Sequence, residues 1–168
     1  MMFNKINMQT WNRKESYSHY FNNVPCTYSM TVNLDITSFI KVVKVNNYKI
    51  FPVILYALSQ IVNTHTEFRM DLDEDKNVGY YDYSNPCYTI FHNETETITN
   101  AWTEHTTNLE TFLQSYNDDM SKYQNDFQNS KPLIGKNYFN VSCIHWTSFT
   151  GFNLNLQKGY DFFHQFLQ

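Results

Sequence analysis

The sequence predicts an α/β fold in which helices cover a mixed β-sheet. Segments that alternate apolar and polar residues, as half-buried strands do, are interleaved with segments of helical period. Apolar residues make up 42% of the 168 residues and charged residues only 17%, which is far from the composition of a disordered chain. No internal repeat and no Pro/Gly/Ser linker divides the chain, so residues 1–168 are predicted to form a single domain.

The first half of the chain predicts one strand and two helices. Residues 24–35 alternate in polarity, with apolar side chains at Met30, Val32 and Leu34, and are predicted to form a half-buried strand. Thr37 is predicted to cap the helix that follows, whose apolar residues share one face: Phe39, Ile40, Val42 and Val43. A second helix has Pro52 near its first turn and is so densely apolar over residues 53–62 that we expect it to lie across the core.

The second half predicts four strands and one helix. The acidic run at residues 71–76 is expected to form a hairpin loop; a metal site is the less favoured alternative, because no EF-hand glycine and glutamate follow in register. Residues 88–92, 97–103, 138–146 and 149–156 are predicted strands. Thr107 and Glu110 form a capping-box pattern ahead of apolar residues at helical spacing: Leu109, Phe112, Leu113, Tyr116, Met120 and Tyr123.

Charge and composition exclude several classes of partner. A net charge of −4 with no cluster of Lys and Arg argues against a nucleic-acid partner. No stretch reaches the roughly 18 apolar residues that a membrane span needs, and the N-terminus is too polar for a signal peptide. The cysteines, Cys26, Cys87 and Cys143, form no C-x-x-C unit. We therefore expect a cytoplasmic protein with reduced thiols, no metal and no membrane partner.

Familiar catalytic motifs are missing from the sequence. The glycines are too far apart for a P-loop or a dinucleotide-binding loop: Gly79, Gly135, Gly151 and Gly159. Ser148 does not stand in a G-x-S-x-G elbow, and the six histidines show no metal-ligand spacing. Residue patterns alone therefore predict an α/β domain without a recognisable catalytic motif.

Several separated stretches carry a resemblance to one enzyme family. The start reads W-N-R-K-E at residues 11–15 and P-C-T-Y at residues 25–28, with Tyr20 between them. Further along, residues 65–70 read H-T-E-F-R-M, residues 85–92 read N-P-C-Y-T-I-F-H and residues 146–155 read W-T-S-F-T-G-F-N-L-N. In this order and at these separations, they resemble the chloramphenicol acetyltransferases over about residues 7–161.

The resemblance implies an enzyme that moves the acetyl group of acetyl-CoA onto the primary hydroxyl of chloramphenicol. It also implies a homotrimer whose active sites lie between subunits and that needs no metal. The family's general base is a histidine in a C-terminal H-H-x-x-x-D-G motif, and a neighbouring hydroxyl group stabilises the oxyanion. This sequence contains no such motif. We therefore expect a chain that lacks about the last quarter of the family's length and is catalytically incompetent.

Site residues follow from the resemblance one position at a time. Arg13 matches the arginine that pairs with the motif aspartate, so here it loses that partner. Ile98 stands where some relatives have a pocket phenylalanine, and Gly151 stands at the oxyanion-serine position of some members. Four further residues match positions that line the antibiotic pocket: Tyr20, Cys26, Tyr28 and Thr89. For Cys26 and Thr89, packing within a strand is an equally weighted alternative.

Residues 161–168 are expected to be an out-of-frame tail. Read from the third base, codons permitted for D-F-F-H-Q-F-L-Q also allow L-L-P-P-I-F-T, whose P-I-F-T end resembles the family's sequence at this place. A small insertion or deletion near codon 161 would explain the likeness, and sequencing the DNA past codon 168 tests it. Two alternatives to the enzyme stay open: a non-enzymatic remnant without selected function and, more distantly, a dihydrolipoyl acyltransferase-type catalytic domain.

Overall fold

The computed structural model describes residues 2–24, 26 and 29–151, and the backbone of residues 166–167. Four helices, a 3₁₀ turn at Thr66–Arg69 and seven strands are present in this part of the chain. In chain order they are β1 (Phe3–Lys5), α1 (Lys14–Asn22), α2 (Thr37–Val45), α3 (Ile50–Thr64), β2 (Met70–Leu72), β3 (Val78–Tyr81), β4 (Asn85–His92), β5 (Thr97–Trp102), α4 (Leu109–Tyr123), β6 (Tyr138–Val141) and β7 (Phe166–Leu167).

The strands form two sheets. The smaller sheet has the order β1-β3-β2 and is antiparallel throughout. The larger sheet has the order β5-β4-β6-β7, with β4 antiparallel to β5 but parallel to β6, and β6 parallel to β7. A parallel pair needs a long crossover, which here contains β5 and α4. The mixed α/β architecture predicted from the sequence is confirmed.

Gly79 lets the N-terminal strand join the smaller sheet. It pairs with Lys5 across β1 and β3, and a Cβ atom at this position would lie 2.5 Å from the Asn4 carbonyl oxygen and 2.5 Å from the Phe3 ring. A side chain at Gly79 would therefore push β1 off the sheet. The Phe3 ring instead packs edge-on against Tyr81, with the ring centroids 5.1 Å apart.

The core lies between one face of the larger sheet and helices α3 and α4. Tyr88 and Ile90 of β4 point into it, together with Phe112 of α4, which is fully buried. The other buried members of this cluster come from α3, β5, α4 and β6: Leu55, Val62, Ala101, Tyr116, Phe139 and Val141. Burying so many large side chains on one sheet face leaves the opposite face available for function.

A buried polar network ties the segment after α4 to the larger sheet. The Lys131 ammonium lies 2.6 Å from Asp119 Oδ1, donates to the Trp102 carbonyl at 2.8 Å and sits 3.8 Å from the centre of the Trp102 ring. The Thr103 hydroxyl donates to Asp119 Oδ2 at 3.0 Å and lies 3.0 Å from the Tyr88 hydroxyl. Each charged group in this network is therefore paired, as buried charges require.

Several predicted elements are confirmed. The two helices of the first half lie at α2 and α3, and Pro52 occupies the first turn of α3. The acidic run lies at the β2–β3 hairpin, where Asp73 pairs with Lys5 at 2.8 Å. Strands 88–92 and 97–103 form the β4–β5 hairpin, and the apolar spacing after residue 109 marks α4.

The strand predicted at residues 24–35 is wrong. The described residues of this segment have no regular secondary structure, and Met30, Val32 and Leu34 are 78%, 63% and 77% exposed. Alternation predicts a strand only where a neighbouring strand accepts the backbone hydrogen bonds, and no described strand pairs with this segment.

Both helix caps are displaced by at least one residue from their predicted positions. Thr37 is the first residue of α2, and Asp35 accepts its N–H at 2.9 Å. The N-cap of α4 is Asn108 rather than Thr107, because the Asn108 side chain accepts the Thr111 N–H at 2.8 Å. An asparagine and a threonine are both good caps, and only one can hold the capping geometry.

The C-terminal strands also differ from prediction. The strand predicted at 138–146 ends at Val141. Residues 149–151 form no strand, and the rest of the strand predicted at 149–156 lies outside the described residues. Most of the expected tail, residues 161–168, lies outside them too, although its Phe166–Leu167 backbone pairs with β6 as β7. No described helix is long and apolar enough to cross a membrane.

Candidate functional site

The candidate site is the face of the larger sheet that the helices do not cover. Residues of β4 alternate between the two faces, so Tyr88, Ile90 and His92 point to the core while Cys87, Thr89 and Phe91 point away from it. The same alternation and register place these residues beside them: Ile98, Asn100 and Trp102 of β5 and Tyr138 and Asn140 of β6. We call this surface the open face. None of these strand side chains carries a charge at neutral pH.

A pair of hydroxyl groups lies on the open face. Thr89 of β4 is half-buried, and its Oγ1 lies 3.4 Å from Oγ of Ser142, the residue after β6. The parallel register brings them together, because Tyr88 pairs with Val141 one residue earlier. Burial raises the pKa of the neighbouring Cys87 thiol to about 11, so this thiol stays protonated and is not a nucleophile. The pair can therefore both donate and accept hydrogen bonds in an uncharged setting.

Apolar side chains border the hydroxyl pair. Phe91 pairs with Ile98 across the β4–β5 hairpin, and both are exposed, Ile98 by 62%. The Phe91 ring contacts Trp146 with the centroids 5.3 Å apart and the planes inclined by 30°. Exposed rings beside a polar pair are typical of surfaces that bind a partly aromatic ligand or a second protein.

Gly151 lies close to the segment before α2. A Cβ atom at Gly151 would lie 3.7 Å from Thr31 Oγ1, an ordinary contact, and its φ is not in the left-handed region. A serine would therefore fit at this position, but glycine supplies no hydroxyl there. Among the residues that the structure describes on the open face, Ser142 is the serine that carries one.

The N-terminal site residues lie on an exposed helix. No residue of α1 is buried in the described chain, and Tyr20 is 47% exposed beside His19. Arg13, which precedes α1, has Glu67 at 3.9 Å as an ion-pair partner; both side chains are largely exposed, so the pair stabilises little. Cys26 is exposed, and Tyr28 lies outside the described residues.

The described histidines are committed elsewhere. His92 is buried on the core side, 2.7 Å from Thr99 Oγ1, and His105 lies 2.8 Å from the buried Ser59 hydroxyl. His145 touches the Trp146 ring, His65 contacts Phe68 and His19 contacts Tyr20. None of these five forms a hydrogen bond or ring contact with Thr89, Ser142 or Ile98. His164 lies outside the described residues.

The structure brings together only part of the predicted site. Thr89 and Ile98 share the open face, whereas no described contact joins them to Arg13, Tyr20 or Cys26. Sequence reasoning did not single out Ser142. The parallel register that places Ser142 beside Thr89 leaves no local trace in the sequence. Among the described residues, no group of three or more His, Cys, Asp or Glu side chains is arranged to hold a metal ion.

Comparison with known proteins assigns the family. The family model described as chloramphenicol acetyltransferase matches residues 1–167. Chloramphenicol acetyltransferases from Clostridium perfringens and Clostridioides difficile are each 49% identical over 163 residues, which are 96% of this chain and 77% and 75% of the relatives. One from Staphylococcus aureus is 38% identical over 163 residues, 96% of this chain and 75% of that protein.

The fold agrees with this assignment. A solved chloramphenicol acetyltransferase superposes with a TM-score of 0.71 and 20% identity, covering 90% of this chain and 75% of the solved one. At 20% identity the superposition supports the fold alone, and the family assignment rests on the relatives given above. The chain belongs to the chloramphenicol acetyltransferase family of acyltransferases.

Proposed function

We propose that this chain is the chloramphenicol-binding part of an acetyltransferase and that, on its own, it does not catalyse acetyl transfer. The substrates are acetyl-CoA and the primary hydroxyl of chloramphenicol, and the reaction confers resistance to the antibiotic. The working assembly is a homotrimer with its sites between subunits. Free cysteines, such as Cys26 and Cys143, are compatible with action in the cytoplasm.

The observation that carries the proposal is the neutral hydroxyl pair of Thr89 and Ser142 beside exposed rings. Chloramphenicol is uncharged and has an aromatic ring as well as hydroxyl groups, so it needs hydrogen-bond partners and flat apolar surface but no charged partner. The open face offers both within one strand hairpin: Thr89 and Ser142 on one side, Phe91 and Ile98 on the other.

The reaction needs two groups besides the substrates. A base removes the hydroxyl proton, the oxygen attacks the thioester carbonyl, and the C–S bond breaks to release the CoA thiol, which takes the proton back from the base. A hydrogen-bond donor stabilises the oxyanion that forms on the carbonyl oxygen. Gly151 has no hydroxyl to act as that donor, so we propose Ser142 for this role, with Thr89 orienting it at 3.4 Å.

The base is the group that this chain does not supply. Each described histidine contacts groups other than the Thr89–Ser142 hydroxyl pair, as given above. A missing general base typically lowers the rate by about 10²–10⁴-fold. We therefore expect the 168-residue chain to give no detectable acetylation of chloramphenicol.

An activity assay tests the catalytic half of the proposal. The homogeneous full chain is incubated with acetyl-CoA and chloramphenicol, and release of the CoA thiol is followed with a disulfide reagent. The control replaces His145 and His164 with alanine in turn. No thiol release above the uncatalysed rate is expected from any of the three proteins. Robust turnover that survives both substitutions would show that the base has been misplaced.

A binding assay tests the open face separately. Thr89→Val removes one hydroxyl at nearly constant volume, and Ser142→Ala removes the other, so each should weaken binding of chloramphenicol roughly 5- to 10-fold, as the loss of a neutral hydrogen bond does. Thr107→Val, at an exposed position before α4, is the matched control and should leave the affinity unchanged. Equal affinity of all four proteins in equilibrium dialysis would contradict the assignment of the open face.

The folding and aggregation of the isolated chain in solution test whether its exposed apolar surface needs the trimer to cover it. Residues 29–36 and α2 expose large apolar side chains, including Met30, Leu34 and Val45, and such surface is covered in a stable assembly. We expect the isolated chain to fold marginally and to aggregate. A sharp cooperative melt together with a monodisperse trimer in light scattering would contradict this expectation.

A further inference from the structure

Asn100 lies on the open face directly beside the hydroxyl pair. Its neighbours in β5, Thr99 and Ala101, are buried on the core side, so the side chain of Asn100 points to the open face. The strand register pairs Asn100 with Thr89 of β4, and Thr89 in turn lies 3.4 Å from Ser142. The three side chains therefore form a row of neutral polar groups that crosses β5, β4 and the residue after β6.

The backbone of Asn100 is held from the outer edge of β5. Its N–H donates to the Ser130 hydroxyl at 2.9 Å, and its carbonyl accepts the Lys131 N–H at 2.8 Å. Because both backbone groups point outward, Asn100 and Thr89 form a non-hydrogen-bonded pair of the antiparallel ladder. In such pairs the facing side chains lie close together, with their Cβ atoms about 4.5–5.5 Å apart. The sheet therefore sets the position of the Asn100 side chain beside Thr89.

The side-chain amide of Asn100 is available to a ligand. It is exposed, and the residues that the structure describes form no hydrogen bond with it. Asn85 and Asn137, near the end of the same sheet, differ in this respect, because their side chains bond to the backbone of His105 and Tyr83. A carboxamide carries two donor hydrogens and an acceptor oxygen. Asn100 can therefore offer either kind of group on the side of Thr89 that faces β5.

Large side chains flank Asn100 along the strands. Ile98 and Phe91 lie on one side of it. Trp102 lies on the other side, and its ring nitrogen already donates to the Pro132 carbonyl at 2.9 Å. A ligand group that settles between these side chains loses its water and meets the Asn100 amide as a polar partner. In such surroundings a hydrogen bond discriminates strongly between ligands that can form it and ligands that cannot.

We propose that Asn100 determines specificity for an acylated nitrogen in the substrate, an inference that rests on the function proposed above. Chloramphenicol carries a secondary amide on the carbon atom next to the one that bears its primary hydroxyl. With that hydroxyl at Thr89 and Ser142, the amide N–H lies beside Asn100 and donates to its Oδ1. The spacing agrees, because groups on neighbouring carbon atoms lie within one strand separation, about 4.8 Å. The open face therefore selects N-acylated amino alcohols over simple alcohols.

The test compares chloramphenicol with its analogue in which an ester oxygen replaces the amide N–H, so that the shape is kept while the donor is lost. Binding to the full chain is measured by equilibrium dialysis, with folding checked by circular dichroism. The unsubstituted chain should prefer chloramphenicol roughly 5- to 10-fold, the effect of one neutral hydrogen bond. Asn100→Leu should bind both compounds equally. Because each protein is judged by the ratio of its two affinities, a general loss of structure does not mimic this result.

Two further variants separate recognition from structure. Asn100→Asp keeps an acceptor at the same place and should keep the preference for chloramphenicol. Asn117→Leu, the matched change at an exposed position of α4, should leave the ratio unchanged. Equal affinities of the unsubstituted chain for the two compounds, or an undiminished preference in Asn100→Leu, would overturn the role of Asn100, while weaker binding by Thr89→Val would still support the proposed function. Absence of chloramphenicol binding to the unsubstituted chain would overturn both.

Discussion

Replacing Lys131 with methionine should destabilise the protein severely. The Lys131 and Asp119 side chains are only 16% and 13% exposed and lie 2.6 Å apart, so the substitution leaves the Asp119 carboxylate buried with the Thr103 hydroxyl as its described partner. Removing one member of a buried ion pair typically costs about 3–5 kcal/mol. The cation–π contact with Trp102 is lost as well.

A double substitution separates charge from packing. Asp119→Leu combined with Lys131→Met removes both charges and leaves the Trp102 carbonyl and the Thr103 hydroxyl without these partners, a loss of about 1–3 kcal/mol. The double variant should therefore be more stable than Lys131→Met alone. Lys122→Met, an exposed change in the last turn of α4, is the matched control and should shift the free energy of unfolding by less than about 0.5 kcal/mol.

Urea denaturation followed by far-UV circular dichroism measures these free energies. If Lys131→Met loses less than about 1 kcal/mol, or if the losses of Lys131→Met and of the single variant Asp119→Leu simply add in the double variant, Lys131 and Asp119 are not coupled and the reasoning is refuted.

Three further outcomes follow from local geometry. Gly79→Ala should cost about 1–3 kcal/mol and abolish amide-exchange protection in β1, because the new Cβ meets the Asn4 carbonyl; unchanged protection would contradict this. Glu96 has φ 53° in the β4–β5 turn, so Glu96→Gly should raise the free energy of unfolding by up to about 1 kcal/mol in urea titrations, whereas a loss would argue against strain there. Burial, and secondarily Arg69, lowers the pKa of His105 below its usual 6.5, so the unfolded chain takes up the proton first. The melting temperature should therefore fall as pH drops below about 6.5, and His105→Gln should remove that part of the dependence.

The elements that could be predicted from the sequence are those whose apolar pattern lies within a short stretch of the chain. The β4–β5 hairpin and α4 combine a clear period with nearby polar turns, and both formed where expected. Alternation at Met30, Val32 and Leu34 predicted a strand that does not form, because a strand also needs a neighbouring strand to pair with and the sequence does not show one. Helix α1 was not predicted, and none of its residues is buried in the described chain.

The candidate site depended more on resemblance than on pattern. Thr89 and Ile98 could be named because the sequence resembles the family at these positions, and strand alternation then places them on one face. Ser142 could not, because its position beside Thr89 depends on a parallel pairing that spans β5 and α4.

The parallel pairing of β4 with β6 also dictates the order in which the chain can assemble. The β4–β5 hairpin and α4 are local and form within microseconds, whereas pairing β6 with β4 requires closing a long loop. On the ribosome, the backbone edge of β4 that pairs with β6 therefore stays accessible until Val141 has left the exit tunnel. During that interval the free edge of β4 is open to any other strand, so a nascent chain of this fold is a natural client for chaperones.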